Sequence, residues 1–175
     1  MPTIGVALPI PEPWGRELQD YRISIGDVAA AQIPTHITLV PPIETTGTDL
    51  GLIRDHLAAV AAGFDSFGVR LQGTGTFRPI SPVVFVTVAH GFDRCTRLAE
   101  QVRRGPLDVS LQFEYHPHVT VAHQLPDPAL DRAHAELADF TCEFTADSFH
   151  LYEHDPTRGW QPTGEFTLAP TAALA

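Results

Sequence analysis

Lysine is absent from this chain: its eleven cationic side chains are all arginine, set against 21 acids for a formal charge of −10. Duplex or extended RNA is bound by clustered Lys and Arg that release counterions, and a field of this sign repels a long polyphosphate. Extended nucleic acid is therefore excluded as a partner, and a phosphate-bearing ligand is small or is the end of a chain. Cysteine is almost as scarce. Cys95 and Cys142 have no CxxC or CxxH companion, which excludes a disulfide framework and a structural zinc site and leaves two buried, reduced thiols. No run approaches the roughly 18 apolar residues of a membrane helix, and the opening MPTIGVALPIPEP lacks the basic start of a secretory signal. These absences describe a cytoplasmic chain with no membrane partner.

What is present suits one folded unit. At 175 residues, 43% apolar and 18% charged, the chain can bury a substantial core; residues 1–170 are expected to form a single monomeric domain, with 171–175 a frayed tail. TIGVALP at 3–9 alternates as a strand, and Trp14, Leu18 and Tyr21 follow at helical spacing. Thr35 to Val40 reads as a short strand ended by Pro41-Pro42. Thr48 or Asp49 caps a helix with the stripe Leu50, Ile53, Leu57 and Val60, stopped near Gly63. Two strands, SFGVRLQGTGTF and PVVFVTVAH, are joined through Arg78-Pro79. Gly73-Thr74-Gly75 in the first lacks the spacing and the following helix of a phosphate loop, and reads as a bulge or bend. A helix from Phe92 to about Arg104 turns Cys95, Leu98 and Val102 to one face. After the strand HPHVTVAH, Asp127-Pro128 opens another helix with Asp127 as its cap, followed by one long strand, TCEFTADSFHLYEH, and a last one, GEFTLA.

The halves of this string read as copies. His36-x-Thr38 and His118-x-Thr120 are 82 positions apart, as are Asp65-Ser66-Phe67 and Asp147-Ser148-Phe149, and at the same offset Ile4 and Val6 fall on Val86 and Val88. Duplication predicts two similar lobes, each presenting one H-x-T strand to a shared cleft.

With 17 threonines and nine histidines in 175 residues, about one H-x-T match arises by chance, so the motif gains meaning only from its setting. Alternate side chains of a strand share a face. His36 and Thr38 therefore lie on one side and Ile37 and Leu39 on the other; His118 and Thr120 oppose Val119 and Val121 in the same way. Imidazole, with a pKa of about 6.5, gives or takes a proton near neutrality, and a threonine hydroxyl donates to an anionic oxygen. Two such pairs across a cleft supply a base, an acid and two hydroxyls for the non-bridging oxygens of a phosphodiester. That set suffices for in-line hydrolysis without a metal.

The strands HITLVPP and HPHVTVAH, with the opening IGVALP and the segment GTGTFRPISPVVFVTV, resemble signature segments of the two-histidine (2H) phosphoesterase superfamily, which includes 2′-5′ RNA ligase-like proteins and RNA 2′,3′-cyclic phosphodiesterases. The resemblance implies an α+β, bilobal fold: two pseudo-symmetric antiparallel-sheet lobes with outer helices around a central cleft. It implies His36, Thr38, His118 and Thr120 as the catalytic four, with His118 the base and His36 the acid. No cofactor is implied. The substrate would be a small cyclic nucleotide or an RNA-end phosphate, opened to the 2′-phosphate, with reversible 2′-5′ ligation as a companion activity. Many relatives carry arginine five residues before the second histidine and just after its apolar run; here Phe113 and His123 stand in those places, which points away from longer RNA. Tyr115 and Pro117 keep the pattern.

Around these four, His116 is a candidate substrate contact, Arg78 and Arg158 are candidate cations for a substrate phosphate, and Phe77, Tyr115 and Trp160 are candidates for stacking a base. Two other functions stay open on the sequence. One is a non-catalytic module that binds a nucleotide or RNA end. The other is a metal-dependent hydrolase built on His116, His118 and His123, although alternation puts His123 on the opposite face and no neighbouring carboxylate completes a ligand set.

Overall fold

The computed structural model describes residues 1–171. Among the described residues eight strands and four α-helices, besides two short 3-10 turns, run in the order β1 (Thr3–Pro9), α1 (Trp14–Ser24), β2 (His36–Glu44), α2 (Gly47–Ala62), β3 (Phe67–Thr76), β4 (Val83–His90), α3 (Phe92–Val102), β5 (His118–His123), α4 (Asp127–Glu136), β6 (Thr141–Ala146), β7 (Ser148–Asp155) and β8 (Gly159–Thr167). They build two four-stranded antiparallel sheets, β2-β1-β7-β8 and β5-β4-β3-β6. The α+β class and the two antiparallel lobes are as expected from the sequence.

The lobes are not the sequential halves, however. The closing strands of each half cross into the other's sheet, so that β3 lies beside β4, and β7, followed by β8, lies beside β1. The helices cross as well: α1 packs against β5, and α3 against β2. Each half thereby braces the H-x-T strand of the other.

This exchange corrects two sequence expectations. TCEFTADSFHLYEH is two strands, broken at Asp147, where the chain leaves the neighbour of β3 and enters the sheet of β1. The offset of 82 holds at the histidines only. Pro9 faces His36 and Thr87 faces His118, so the opening strands correspond 78 positions apart, the paired residues being 27 positions apart in the first half and 31 in the second. Ala7 lies beside His150 and its counterpart Phe85 beside Gly75, so the two Asp-Ser-Phe triplets do not occupy equivalent places either.

Nor does β2 stop at Pro41-Pro42. It is an edge strand, and between the pairs Val6↔Val40 and Ile4↔Ile43 it carries one more residue than β1. An edge with a bulge accepts residues that have no N–H to give to the ladder. Helix starts also shift. The α2 cap is Thr46, whose hydroxyl accepts the Asp49 amide at 3.1 Å, in place of Thr48 or Asp49. Asp127 sits inside the first turn of α4 with Pro126 at the cap, where its charge still favours the helix N-terminus. The Gly73-Thr74-Gly75 bulge is present, with Gly73 at φ +74°.

One apolar cluster joins the inner faces of both sheets to the helix stripes: Ile37 and Leu39, Val119 and Val121, Leu57 and Leu98 are all fully buried in it. Cys95 and Cys142 are free and buried. Thr171, expected to fray, is tied down: its amide donates to Ser66 Oγ at 3.1 Å and its hydroxyl to the Ser66 carbonyl at 2.9 Å. The rest of the expected tail, 172–175, lies outside the described residues. Among the described residues no helix is long and apolar enough to cross a membrane.

Candidate active site

The two H-x-T strands, β2 and β5, are the facing edges of the two sheets and pack against one another. Ile37, Leu39, Val119 and Val121 have no exposed surface, whereas His36, Thr38, His118 and Thr120 are half-buried on the opposite faces. Burying the aliphatic set fixes which way each strand turns, because a slip of one residue would exchange the faces.

The two imidazoles are held alike. His36 Nδ1 lies 2.6 Å from the Pro34 carbonyl, and His118 Nδ1 lies 2.6 Å from the His116 carbonyl. Only a protonated Nδ1 can donate to a carbonyl, so in the neutral ring the proton resides there and Nε2 is left as the acceptor. Burial pulls both histidines below their ordinary pKa, against the carbonyl bonds, which favour the charged ring. Charge on His116 and on His36 lowers His118 further, and Arg22 lowers His36. A proton on His36 thus disfavours a second on His118.

Aromatic rings set the orientation of His118. Phe77 meets it edge-on, with centroids 4.9 Å apart and planes at 88°, and itself packs on Phe85 at 4.5 Å. Phe85 flanks both His116 and His118 at 5.4 Å. Gly75 makes this possible, since a Cβ there would sit 2.7 Å from the Phe85 ring. Phe77, expected as a stacking face for a base, is instead committed to the imidazole.

Two hollows meet at Thr38 and Pro42. One, of about 180 Å³, is lined by His36, Thr38, Ala7, Val40, Tyr152 and Trp160. The other is a groove between the β2 edge and the segment before β5, lined by Thr38, Leu111, Phe113, Tyr115, His116 and His118. Trp160 lines the first hollow and His116 the second. Thr120 shares the face of His118 and sits opposite Phe85, but lines neither hollow.

Tyr115 plays another part than stacking. Its hydroxyl donates to the Thr38 carbonyl at 2.6 Å, and the Arg103 guanidinium covers its ring at 4.9 Å. Burial pushes the phenol well above its usual pKa, so it remains a donor.

Neither candidate arginine reaches the cleft. Arg78 is held by Asp131 at 2.9 Å and Asp127 at 3.5 Å on α4, and Arg158 by Asp155 at 3.3 Å. His123 ends β5 exposed and lines neither hollow. Among the described residues no three His, Cys, Asp or Glu side chains gather to hold a metal, so the set His116, His118 and His123 does not assemble. Sequence reading missed Tyr152 and the two carbonyls that hold the histidines. Alternation against buried Phe149 and Leu151 did mark Tyr152 as belonging to the other face, but not which sheet that face joins.

Opposed edge strands, each offering a histidine and a threonine from one of two antiparallel lobes, define a protein of the two-histidine phosphoesterase type. Residues 9–158 match the family model of the 2′-5′ RNA ligase superfamily. The chain belongs to that superfamily. It is 29% identical over 144 residues to a protein of Bacillus cytotoxicus that carries a provisional phosphoesterase name, a match covering 79% of this chain and 81% of the other. A similarly named protein of Geobacillus kaustophilus is 27% identical over 150 residues, covering 83% and 86%. The fold resembles TT0787 of Thermus thermophilus, with a TM-score of 0.69 at 20% identity over 98% of this chain and 100% of that one. Escherichia coli LigT, solved with NADP+, also gives 0.69, at 17% identity over 96% and 98%.

Proposed function

We propose that the protein hydrolyses small cyclic phosphodiesters, namely nucleoside 2′,3′-cyclic phosphates or the cyclic phosphate at an RNA end, to the 2′-phosphate without a metal. The observation that carries this reading is the twinned histidine geometry: two Nδ1 atoms each bound to a carbonyl two residues upstream, leaving two Nε2 atoms for one substrate. His118 Nε2 takes a proton from water as its oxygen bonds to phosphorus. The bond from phosphorus to the 3′ oxygen breaks in line, and His36 Nε2 gives that oxygen its proton. Thr38 and Thr120 hold the non-bridging oxygens. Mutual disfavouring of two protons supports a pair with one ring charged and one neutral; the choice of His118 as base and His36 as acid rests on the family resemblance. A 5′-hydroxyl in place of water gives a 2′-5′ diester, the ligase-like form of the same step.

The test incubates wild type, His36→Ala and His118→Ala with the four 2′,3′-cyclic nucleotides in EDTA, resolving 2′- from 3′-phosphate products. Wild type should turn over, and each variant should lose about 10²- to 10⁴-fold in kcat. Full activity in either variant, or a requirement for added metal, overturns the mechanism. Binding without turnover would make the protein a nucleotide-binding module.

A further inference from the structure

The hollow on the His36 side is walled mainly by apolar residues, and the groove on the His118 side is apolar apart from Thr38, Ser110, Gln112, Tyr115 and the histidines themselves. On the His36 side the walls are Ala7, Val40, Pro42, Tyr152 and Trp160. On the His118 side the groove runs past Leu111 and Phe113 opposite Ile43, with Phe113 62% exposed at its mouth. Neither is lined by an arginine or a carboxylate.

The arginines nearest the cleft are engaged elsewhere. Arg103 lies over the Tyr115 ring and reaches the Leu39 carbonyl at 3.5 Å. Arg22 is bound by Asp27 at 2.7 Å, and Arg78 by the two α4 aspartates. A single negative charge at phosphorus has a protonated histidine and two hydroxyls to meet it. A second phosphate in the His36-side hollow would be desolvated with no cation beside it; in the groove it would find no arginine, only the imidazoles of His116 and His118, and in either place it would face the field of a chain of charge −10.

We infer that the cleft selects diesters carrying one negative charge: the base seats on Trp160 and Tyr152, and the 5′ side of the ribose lies along the Leu111–Phe113 groove with a free hydroxyl. A 5′-phosphate, or the next nucleotide of an RNA chain, is selected against. This rests on the phosphodiesterase reading above and narrows it from RNA ends to free cyclic nucleotides.

The experiment compares kcat/KM of the wild type for a nucleoside 2′,3′-cyclic phosphate and for the same compound with a 5′-phosphate, at low and high salt. The 5′-hydroxyl form should be favoured by about tenfold or more at low ionic strength, and salt should narrow the gap by screening. Phe113→Arg should raise kcat/KM for the 5′-phosphorylated form and reduce the preference. Equal or better turnover of the 5′-phosphorylated form by wild type overturns the selectivity while leaving the phosphodiesterase reading intact. A preference untouched by Phe113→Arg overturns the placement of the 5′ side in this groove. Turnover of neither compound overturns both readings.

Discussion

The Tyr115 hydroxyl donates to the Thr38 backbone carbonyl at 2.6 Å, so a side chain from the segment leading into β5 grips the middle of β2. The two strands belong to different sheets and share no ladder. Their spacing, and with it the distance between the two imidazoles, therefore depends on side-chain links of this kind. Tyr115→Phe keeps the ring under Arg103 and removes only the bond. It should lower stability by about 1 kcal/mol in denaturant melts and lower kcat about tenfold, with a smaller change in KM and no shift in the pH profile. An unchanged kcat would show that packing alone sets the spacing.

Thr38 borders both hollows, and in the proposed mechanism its hydroxyl donates to a phosphoryl oxygen. Thr38→Val preserves the shape and should reduce kcat by about 10²-fold, while Thr38→Ser should recover most of the loss. Steady-state kinetics on a cyclic nucleotide decide this; equal rates for valine and serine would remove Thr38 from the chemistry.

The pH dependence of kcat/KM reports the free enzyme. Burial places both imidazoles below their ordinary value of 6.5. In the proposed mechanism the active form has one ring charged and one neutral, and it is most populated between the two apparent pKa values of the pair. The maximum should therefore lie on the acid side of 6.5, with activity falling toward alkaline pH. A bound diester anion favours the charged ring and should move the falling limb of kcat upward. A profile flat from about pH 5 to 8 would count against the pair.

The same depression has a consequence for stability. Unfolded imidazoles take up protons around 6.5, whereas the folded ones resist until lower pH. Over that interval the unfolded state binds more protons, so stability is fully present above 6.5 and declines as pH falls below it. Unfolding free energies measured from neutral to acid pH should show a shallower decline in His36→Gln than in the wild type.

Arg22 is 5% exposed, and its guanidinium bonds Asp27 at 2.7 and 3.2 Å. Asp27→Asn leaves a buried cation with a neutral partner, which should cost about 3 kcal/mol. Arg22 already lowers His36. Freed of its counter-ion it should depress His36 more, moving the kcat/KM optimum further to acid; a pH profile identical to wild type would show that Arg22 acts on stability alone.

Much of this was legible from local pattern. Alternation assigned Ile37, Leu39, Val119 and Val121 to the interior and their histidine and threonine neighbours to a cleft, and helical spacing placed Cys95, Leu98 and Val102 on a buried face. These are properties of a few consecutive residues, because the repeat of a strand or helix determines which side chains share a side.

Partners were not legible, since they depend on surfaces distant in sequence. Pro41-Pro42 signalled a strand end until the strand proved to be an edge with a bulge. Arg78 looked free for substrate until α4 laid two aspartates against it. Tyr152 and Trp160 joined His36 only because β7 and β8 cross from the second half into the sheet of β1 and β2. The sequence by itself determined the two histidine strands and which face of each is polar. Tertiary structure alone decided that those faces oppose, that Tyr115 ties them and that apolar walls flank them, because strand pairing is settled by long-range burial rather than by local repeat.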